Sequence, residues 1–173
     1  RAFVAQHPDV KITVISRPFF QPFFKDIPNL QFFSFDEKER HKGILGLWRL
    51  FQDLKVFKID AFADLHNVLR SKVVRSLVAL SGKKIAFVDK GRAEKKLLTR
   101  AENKIFQPLT TMFERHQLVF ETLGFPIDLS QPKFPPKAKI SQLEIATIVA
   151  QSKNTIGIAP FAQYDSKVYP LDL

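Results

Sequence analysis

Short β-branched runs and longer stripes at helical spacing alternate along this chain, and that alternation predicts strands and helices in turn. Lys11-Ile-Thr-Val-Ile-Ser16 fits a buried strand, and Leu30-Gln-Phe-Phe-Ser-Phe35 a second. Between them Phe19, Phe20, Phe23 and Phe24 are split by Pro18 and Pro22. Clustered phenylalanines are far more often core than interface, so these are expected to cover the sheet, with a membrane-contacting surface as the alternative. From Gly43 to Lys55, Ile44, Leu47, Trp48, Phe51 and Leu54 make one apolar stripe of a helix. Ala61 to Leu65 reads as a strand and Val68 to Leu80 as a helix stopped at Ser81-Gly82. Lys83 to Val88 is a further strand, and the basic segment Asp89 to Arg100 leaves it. A long helix is expected from Gln107 to Leu123, with Pro108 in its first turn and Gly124 as its stop. His116 falls on its apolar stripe, where a buried, hydrogen-bonded histidine is expected rather than a catalytic one.

Strands alternating with helices indicate an α/β fold, a Rossmann-like parallel sheet with helices on both faces. The element order resembles that sheet with its first strand missing, which would leave two parallel edges open at the centre. Arg1-Ala-Phe-Val-Ala-Gln-His-Pro8 reads as the end of a helix already under way, and Leu173 falls just past an expected helix start. The expectation is a fragment cut at both ends. Residues 1–126 are expected to form the Rossmann-like domain. Pro126, Pro132, Pro135 and Pro136 mark 127–140 as a proline-rich linker, and 141–173 as the beginning of a second domain. That second part is expected to hold a helix from Ser141 to Gln151 and a strand from Thr155 to Ala159.

The 173 residues include no cysteine, which excludes disulfides, thiolate metal sites and a cysteine nucleophile. No apolar run approaches the roughly 20 residues that span a bilayer, and the first residues lack signal-peptide architecture. The net charge of +10 is unevenly placed: between Arg70 and Lys104 eleven basic residues meet only Asp89, Glu94 and Glu102, so this stretch carries +8. Such a field attracts nucleic acid, anionic lipid or a phosphorylated sugar, and a solvated basic face is the plainer reading. Phe87 and Phe106 are the only rings in or beside the stretch, which argues against single-stranded nucleic acid, whose bases stack on interleaved aromatics. Metal-ligand spacing, Asp-x-Asp, serine-hydrolase and P-loop signatures are all absent from the sequence.

The most informative stretch is Thr155-Ile-Gly-Ile-Ala-Pro-Phe-Ala-Gln-Tyr-Asp-Ser-Lys-Val-Tyr-Pro170. An apolar run breaks at Pro160 into a polar loop with one lysine, and Pro170 suits the first turn of a helix. Strand, loop and helix start in this order present backbone N–H groups and a cation at the carboxyl end of a strand. Open α/β sheets bind phosphorylated ligands at that edge. An ordinary strand-to-helix connection with a solvated lysine is the alternative.

This loop resembles the segment that opens the second domain of glycosyltransferase family 9, the lipopolysaccharide heptosyltransferases. Pro160-Phe161-Ala162 stands for the family's Pro-Gly-Ala-like turn, with Phe161 in place of glycine. Lys167-Val168-Tyr169-Pro170 stands for Lys-x-Trp-Pro, with Tyr169 in place of tryptophan. Upstream, Asp60-Ala-Phe-Ala-Asp-Leu-His-Asn-Val-Leu-Arg-Ser71 is similar to the family pattern D-x-x-x-D-L-x-x-x-x-R-S, with Asp60, Asp64, Leu65, Arg70 and Ser71 in register.

The resemblance implies a GT-B pair of Rossmann-like domains that transfers a heptose or similar sugar from a nucleotide-diphosphate donor to the lipopolysaccharide inner core with inversion. It implies an acceptor-side first domain, a nucleotide-sugar-binding second domain and no cofactor besides the donor. The bacterial protein would be cytoplasmic, at or near the inner face of the inner membrane, with contact to its anionic surface and no specific nucleic acid. Lys167, helped by Gln163 and Ser166, would hold the donor diphosphate. Arg70, Lys90, Arg92, Lys95 and Lys96 would meet the anionic acceptor. His66 and Asn67 would hydrogen-bond a sugar or else cap the strand end. The family's catalytic carboxylate lies in a loop after the first strand, so no residue of this chain inherits that role, and neither Asp60 nor Asp64 is assigned as base. A non-enzymatic basic α/β module that binds nucleic acid is the competing reading.

Overall fold

The computed structural model describes residues 1–131, 134–135, 142–151, 153–154, 156–158 and 162–168. The chain forms two compact units, Arg1–Lys133 and Phe134–Leu173. In the first, the order is α1 (Ala2–Gln6), β1 (Ile12–Ser16), a 3-10 turn (Pro18–Phe24), β2 (Leu30–Ser34), α2 (Gly43–Leu54), β3 (Ala61–Asp64), α3 (Leu69–Leu80), β4 (Lys84–Phe87), α4 (Arg92–Thr99) and α5 (Met112–Thr122).

All pairing is parallel. β1 runs beside β2 from Ile12↔Leu30 to Ser16↔Ser34, and β3 beside β4 from Ala61↔Lys84 to Asp64↔Phe87. Among the described residues β1 and β3 are not bonded to each other, and the strands form two pairs. In the doubly wound order β1 and β3 flank the first strand. The observed pairs therefore match the Rossmann-like arrangement expected from the sequence.

Side chains alternate across the strands, as a period of two requires. Ile15, Phe33, Phe62 and Ile85 pack on Leu47, Leu50 and Leu54 of α2 and on Val74 and Val78 of α3. From the opposite parity, Ala61, Ala63, Ala86 and Val88 meet Val119 and Leu123 at α5. Ile12 joins Phe3, Val4 and Ile127 on α1 and the segment after α5. Helices thus cover both faces.

Several expectations are corrected. Phe19, Phe20 and Phe23 do not cover the sheet; they are exposed, and only Phe24 turns inward, its ring 5.7 Å from that of Phe32. A 3-10 turn has three residues per repeat, so Phe20 and Phe23 share a side, and no continuous helical stripe faces the core. In α2 the buried stripe is Gly46, Leu47, Leu50 and Leu54, while Ile44 and Trp48 face water. Gly46 sets that rotation: a Cβ there would lie 2.7 Å from the Cα of His41, so the helix turns this bare position against the preceding loop.

The helix expected from Gln107 begins at Met112, and Pro108 precedes it. Thr111 dictates the start. Its Oγ1 accepts from the Glu114 N–H at 3.2 Å, and the Glu114 carboxylate accepts from the Thr111 N–H at 2.7 Å. The buried polar residue of α5 is Arg115; His116 is half-buried, and its Nε2 finds no hydrogen-bond partner among the described residues. Residues just past Pro126 are tied to α1. The Gln6 amide donates to the Asp128 carbonyl at 2.7 Å and accepts from the Asp128 N–H at 2.8 Å, while Ile127 is buried.

In the second unit α6 spans Leu143–Gln151, and a 3-10 turn spans Asp165–Lys167. Where a strand was expected, Ile156–Ile158 carry no strand pairing, and both isoleucines are exposed; Thr155 and Ala159 lie outside the described residues, as does Ser141. A strand needs a partner edge, and no described segment of this unit offers one. Among the described residues no helix is long and apolar enough to cross a membrane.

Candidate functional site

The carboxyl ends of β3 and β4 are organised around one buried carboxylate. Asp64 ends β3, and its Oδ1 accepts the backbone N–H groups of His66 at 3.1 Å and Asn67 at 2.7 Å. Its Oδ2 accepts from Arg75 of α3 at 3.1 Å. With these partners it turns the chain from strand into helix and is committed to structure. Asn67, at a left-handed φ of 46°, donates its amide to the Val88 carbonyl at 2.7 Å and so ties the two strand ends together. Asparagine tolerates that backbone better than most residues. Ser71 then opens α3, its Oγ accepting from the Val68 N–H at 2.9 Å. The spaced residues of the Asp60–Ser71 segment thus divide: Asp64 and Ser71 build the turn, and Asp60 sits at the start of β3, on the far edge. His66 is exposed just past the strand end.

Beside this turn lies a cavity of about 190 Å³ lined by Asn67, Lys72, Asp89, Lys90, Gly91, Arg92, Ala93 and Glu94. Its electrostatics depend on a residue that does not line it. Arg115, buried on α5, reaches Glu94 at 2.7 Å and Asp89 at 3.4 Å, and donates to the Asp89 carbonyl at 3.3 Å. Its one charge offsets one of the two acids, and Lys72, Lys90 and Arg92 outweigh the other, so the cavity is net positive. Backbone N–H groups at the start of α4 add to the field. The arrangement can hold an anionic group.

Of the sequence-derived acceptor residues, the cavity brings together Asn67, Lys90 and Arg92. Lys95 and Lys96 are exposed on the next turn of α4. Arg70 is elsewhere: it donates to Glu37 at 2.5 Å, and Glu37 also pairs with Arg17 at 2.7 Å. Held by Arg70 first and Arg17 second, Glu37 lies below its ordinary pKa. This triad links the segments that follow β1, β2 and β3, and it keeps one net positive charge. Lys83 and Lys84 of the basic stretch sit at the opposite, amino edge of β4.

Sequence reasoning passed over Arg115, Arg17 and the role of Lys72. Arg115 lies beside, not on, the apolar stripe expected of α5, so spacing gave no signal that it is buried. A second polar cluster closes the loop after β2. Asp53 of α2 accepts from Arg40 at 2.8 and 2.7 Å and contacts the buried His41 Nε2 at 3.1 Å. Arg40 and then His41 hold its pKa down at about 2. His41 Nδ1 accepts the Asp36 N–H at 3.1 Å, so Nε2 carries the proton donated to Asp53.

In the second unit Gln163, Ser166 and Lys167 are exposed around the 3-10 turn. Lys167 donates its backbone N–H to the Tyr164 carbonyl at 2.9 Å, and its ammonium stands 5.4 Å from the Tyr164 ring centre. Pro160, Phe161, Tyr169 and Pro170 lie outside the described residues.

A parallel Rossmann-like sheet with helices on both faces and a cationic cavity at its carboxyl edge places this chain in the α/β class. The model of glycosyltransferase family 9 (heptosyltransferase) matches residues 47–172 of the 173, and the chain belongs to that family. The matched span includes the Asp60–Ser71 turn, the cavity and the Lys167 loop. No curated protein and no solved structure matches the chain.

Proposed function

We propose that this chain serves in transfer of a heptose from a nucleotide-diphosphate donor to the lipopolysaccharide inner core, with inversion and with no cofactor beyond the donor. Family membership supports glycosyl transfer. The observation that carries the acceptor assignment is the cavity at the ends of β3 and β4, where Arg115 offsets one of the two acidic charges and Lys72, Lys90 and Arg92 outweigh the other. An inner-core acceptor bears carboxylates and phosphates, which suit such a cavity. Lys95, Lys96 and the Arg17–Glu37–Arg70 triad extend the positive edge, and His66 stands free at the strand end for a sugar hydroxyl.

On this reading the first unit is the acceptor side and the second begins the donor side. Lys167, Gln163 and Ser166 meet the donor diphosphate, where positive charge stabilises the departing group. No residue of this chain is assigned as the base. Asp64, the one buried carboxylate among the described residues, is fully engaged by backbone N–H groups and Arg75. The protein works in a bacterial cytoplasm, at the inner face of the inner membrane.

The test is incubation of the full-length protein with a nucleotide-diphosphate heptose and an inner-core acceptor. Acceptor-dependent release of nucleoside diphosphate, with heptose found on the acceptor, is expected. Failure to transfer, together with salt-dependent binding of single-stranded RNA or DNA, would move the basic edge to the nucleic-acid reading.

A further inference from the structure

The turn after β1 exposes an aromatic cluster that neither the core nor the cavity uses. Phe19 is 78% exposed, Phe23 70% and Phe20 40%. Their rings touch in series, 5.3 Å apart for Phe19–Phe20 and 6.4 Å for Phe20–Phe23, so they form one patch. Pro18 and Pro22 fix the backbone of the turn, and the Phe20 N–H closes it on the Arg17 carbonyl at 3.0 Å. The patch is therefore held in shape before any partner arrives. A contiguous apolar patch of this kind marks an interaction surface, where single exposed rings would not.

We infer that the Phe19–Phe20–Phe23 cluster is a wedge that inserts into the surface of an anionic phospholipid bilayer. Three observations select this occupant. First, charge: the turn itself, Pro18–Phe24, carries no acid; before it stands the Arg17–Glu37–Arg70 triad with one net positive charge, and after it the exposed Lys25, followed by Asp26. Cations beside apolar rings match anionic headgroups above acyl chains. Second, size: a phenylalanine carries about 200 Å² of surface, so three partly exposed rings offer roughly 400 Å². That is about half of the roughly 800 Å² a stable protein partner covers, whereas shallow insertion needs only a few rings and cations. Third, place: the turn follows the carboxyl end of β1, and Ile44 and Leu45 are exposed in the first turn of α2 after β2, on the same edge. The cationic cavity lies on this edge too, at the ends of β3 and β4.

The inference rests on the proposed function only for its purpose: an acceptor anchored in lipid would meet the cavity without leaving the membrane. Its test needs no sugar transfer. The full chain is floated with vesicles of phosphatidylcholine alone and with vesicles that also contain phosphatidylglycerol. Binding is expected to the anionic vesicles and to weaken with salt. Replacement of Phe19, Phe20 and Phe23 by serine is expected to lower the partition coefficient by about tenfold or more while the melting temperature stays put. Lys25→Glu is expected to weaken binding to the anionic vesicles. As a second reading, Phe19→Trp in a Trp48→Phe background is expected to shift its emission to the blue on anionic vesicles.

Absence of flotation, or flotation unchanged by the serine variant with no blue shift, would overturn the wedge. Concentration-dependent dimerisation lost in the same variant, with no vesicle binding, would assign the patch to a second copy instead. A protein that floats but transfers no heptose keeps the wedge and loses the proposed reaction. One that transfers to a soluble acceptor but does not float loses the wedge alone.

Discussion

Arg115 occupies the space that a side chain at Gly91 would need: a Cβ on Gly91 would stand 2.7 Å from the Arg115 Cζ. Gly91 also has a φ of 60°, in the left-handed region. The two residues therefore specify each other. The glycine lets the buried guanidinium pass under the loop, and the guanidinium pins Asp89 and Glu94 on either side of it. Through this pair, α5 controls the electrostatics of a cavity it does not line.

Gly91→Ala is expected to lower stability by about 1–3 kcal/mol, from left-handed backbone strain plus displacement of Arg115. Urea unfolding measures this. If the cavity binds the acceptor, the same substitution raises acceptor KM more than it lowers kcat, since Asp89 and Glu94 lose their counter-ion.

Acid should uncouple the loop after β2 from α2. The Asp53 carboxyl sits at about 2 in the folded protein, chiefly through Arg40, against about 3.9 in an unfolded chain. A lowered folded pKa means its stabilisation is complete above about pH 4 and is lost as pH falls toward about 2. Asp36 and Glu37 are also lowered, by the Glu39 backbone N–H and by Arg70 respectively, and act in the same direction. Asp53→Asn is expected to cost about 1–3 kcal/mol at neutral pH and to flatten this acid slope, read from urea midpoints across the range.

Lys167→Ala is expected to weaken binding of a nucleoside diphosphate to the full-length protein by about tenfold or more, the loss of one charge-assisted contact. Lys167 is exposed, so the melting temperature without ligand should barely move. Calorimetric titration decides; unchanged affinity would remove Lys167 from the donor site.

Neutralising Arg92, Lys95 and Lys96 together is expected to raise acceptor KM with little change in kcat. All three are exposed, so salt should mimic the loss. A triple variant with normal acceptor kinetics at low salt would make this edge a solvated face.

Asp64→Asn separates structure from chemistry. Loss of the charge beside Arg75 leaves a half-buried cation unpaired, so the expected effect is destabilisation of a few kcal/mol. A variant with unaltered unfolding but abolished transfer would return Asp64 to the catalytic candidates.

Much of this protein was open to reading in one dimension. The short apolar runs place the four strands of the described residues to within a residue or two, because a period of two is a local property of the chain, whereas the equally apolar run at 156–158 forms no strand. The Asp60–Ser71 and Lys167 segments carry the family resemblance for a similar reason, since turn chemistry and short loops are written in neighbouring residues. The helix stripes were read less well. Ile44 and Trp48 have the spacing of buried residues, yet the close approach of His41 to Gly46 turns α2 so that Leu50 is buried instead. Thr111 and Glu114 spell a capping box, but the apolar spacing before them masked it.

Only the tertiary structure decided which charges are free. Eleven basic residues look alike along the sequence, but folding sends Lys83 and Lys84 to one edge of the sheet and Lys72, Lys90 and Arg92 to the other. It also commits Arg75 to Asp64 and Arg70 to Glu37, partners far away in sequence. The same holds for the phenylalanines after β1, where hydrophobicity alone pointed inward and a proline-locked turn sends three of four into water. The physical reason is common to these cases. Periodicity and turn chemistry depend on adjacent residues, whereas ion pairing, neutralisation and exposure depend on contacts that exist only once distant segments have met.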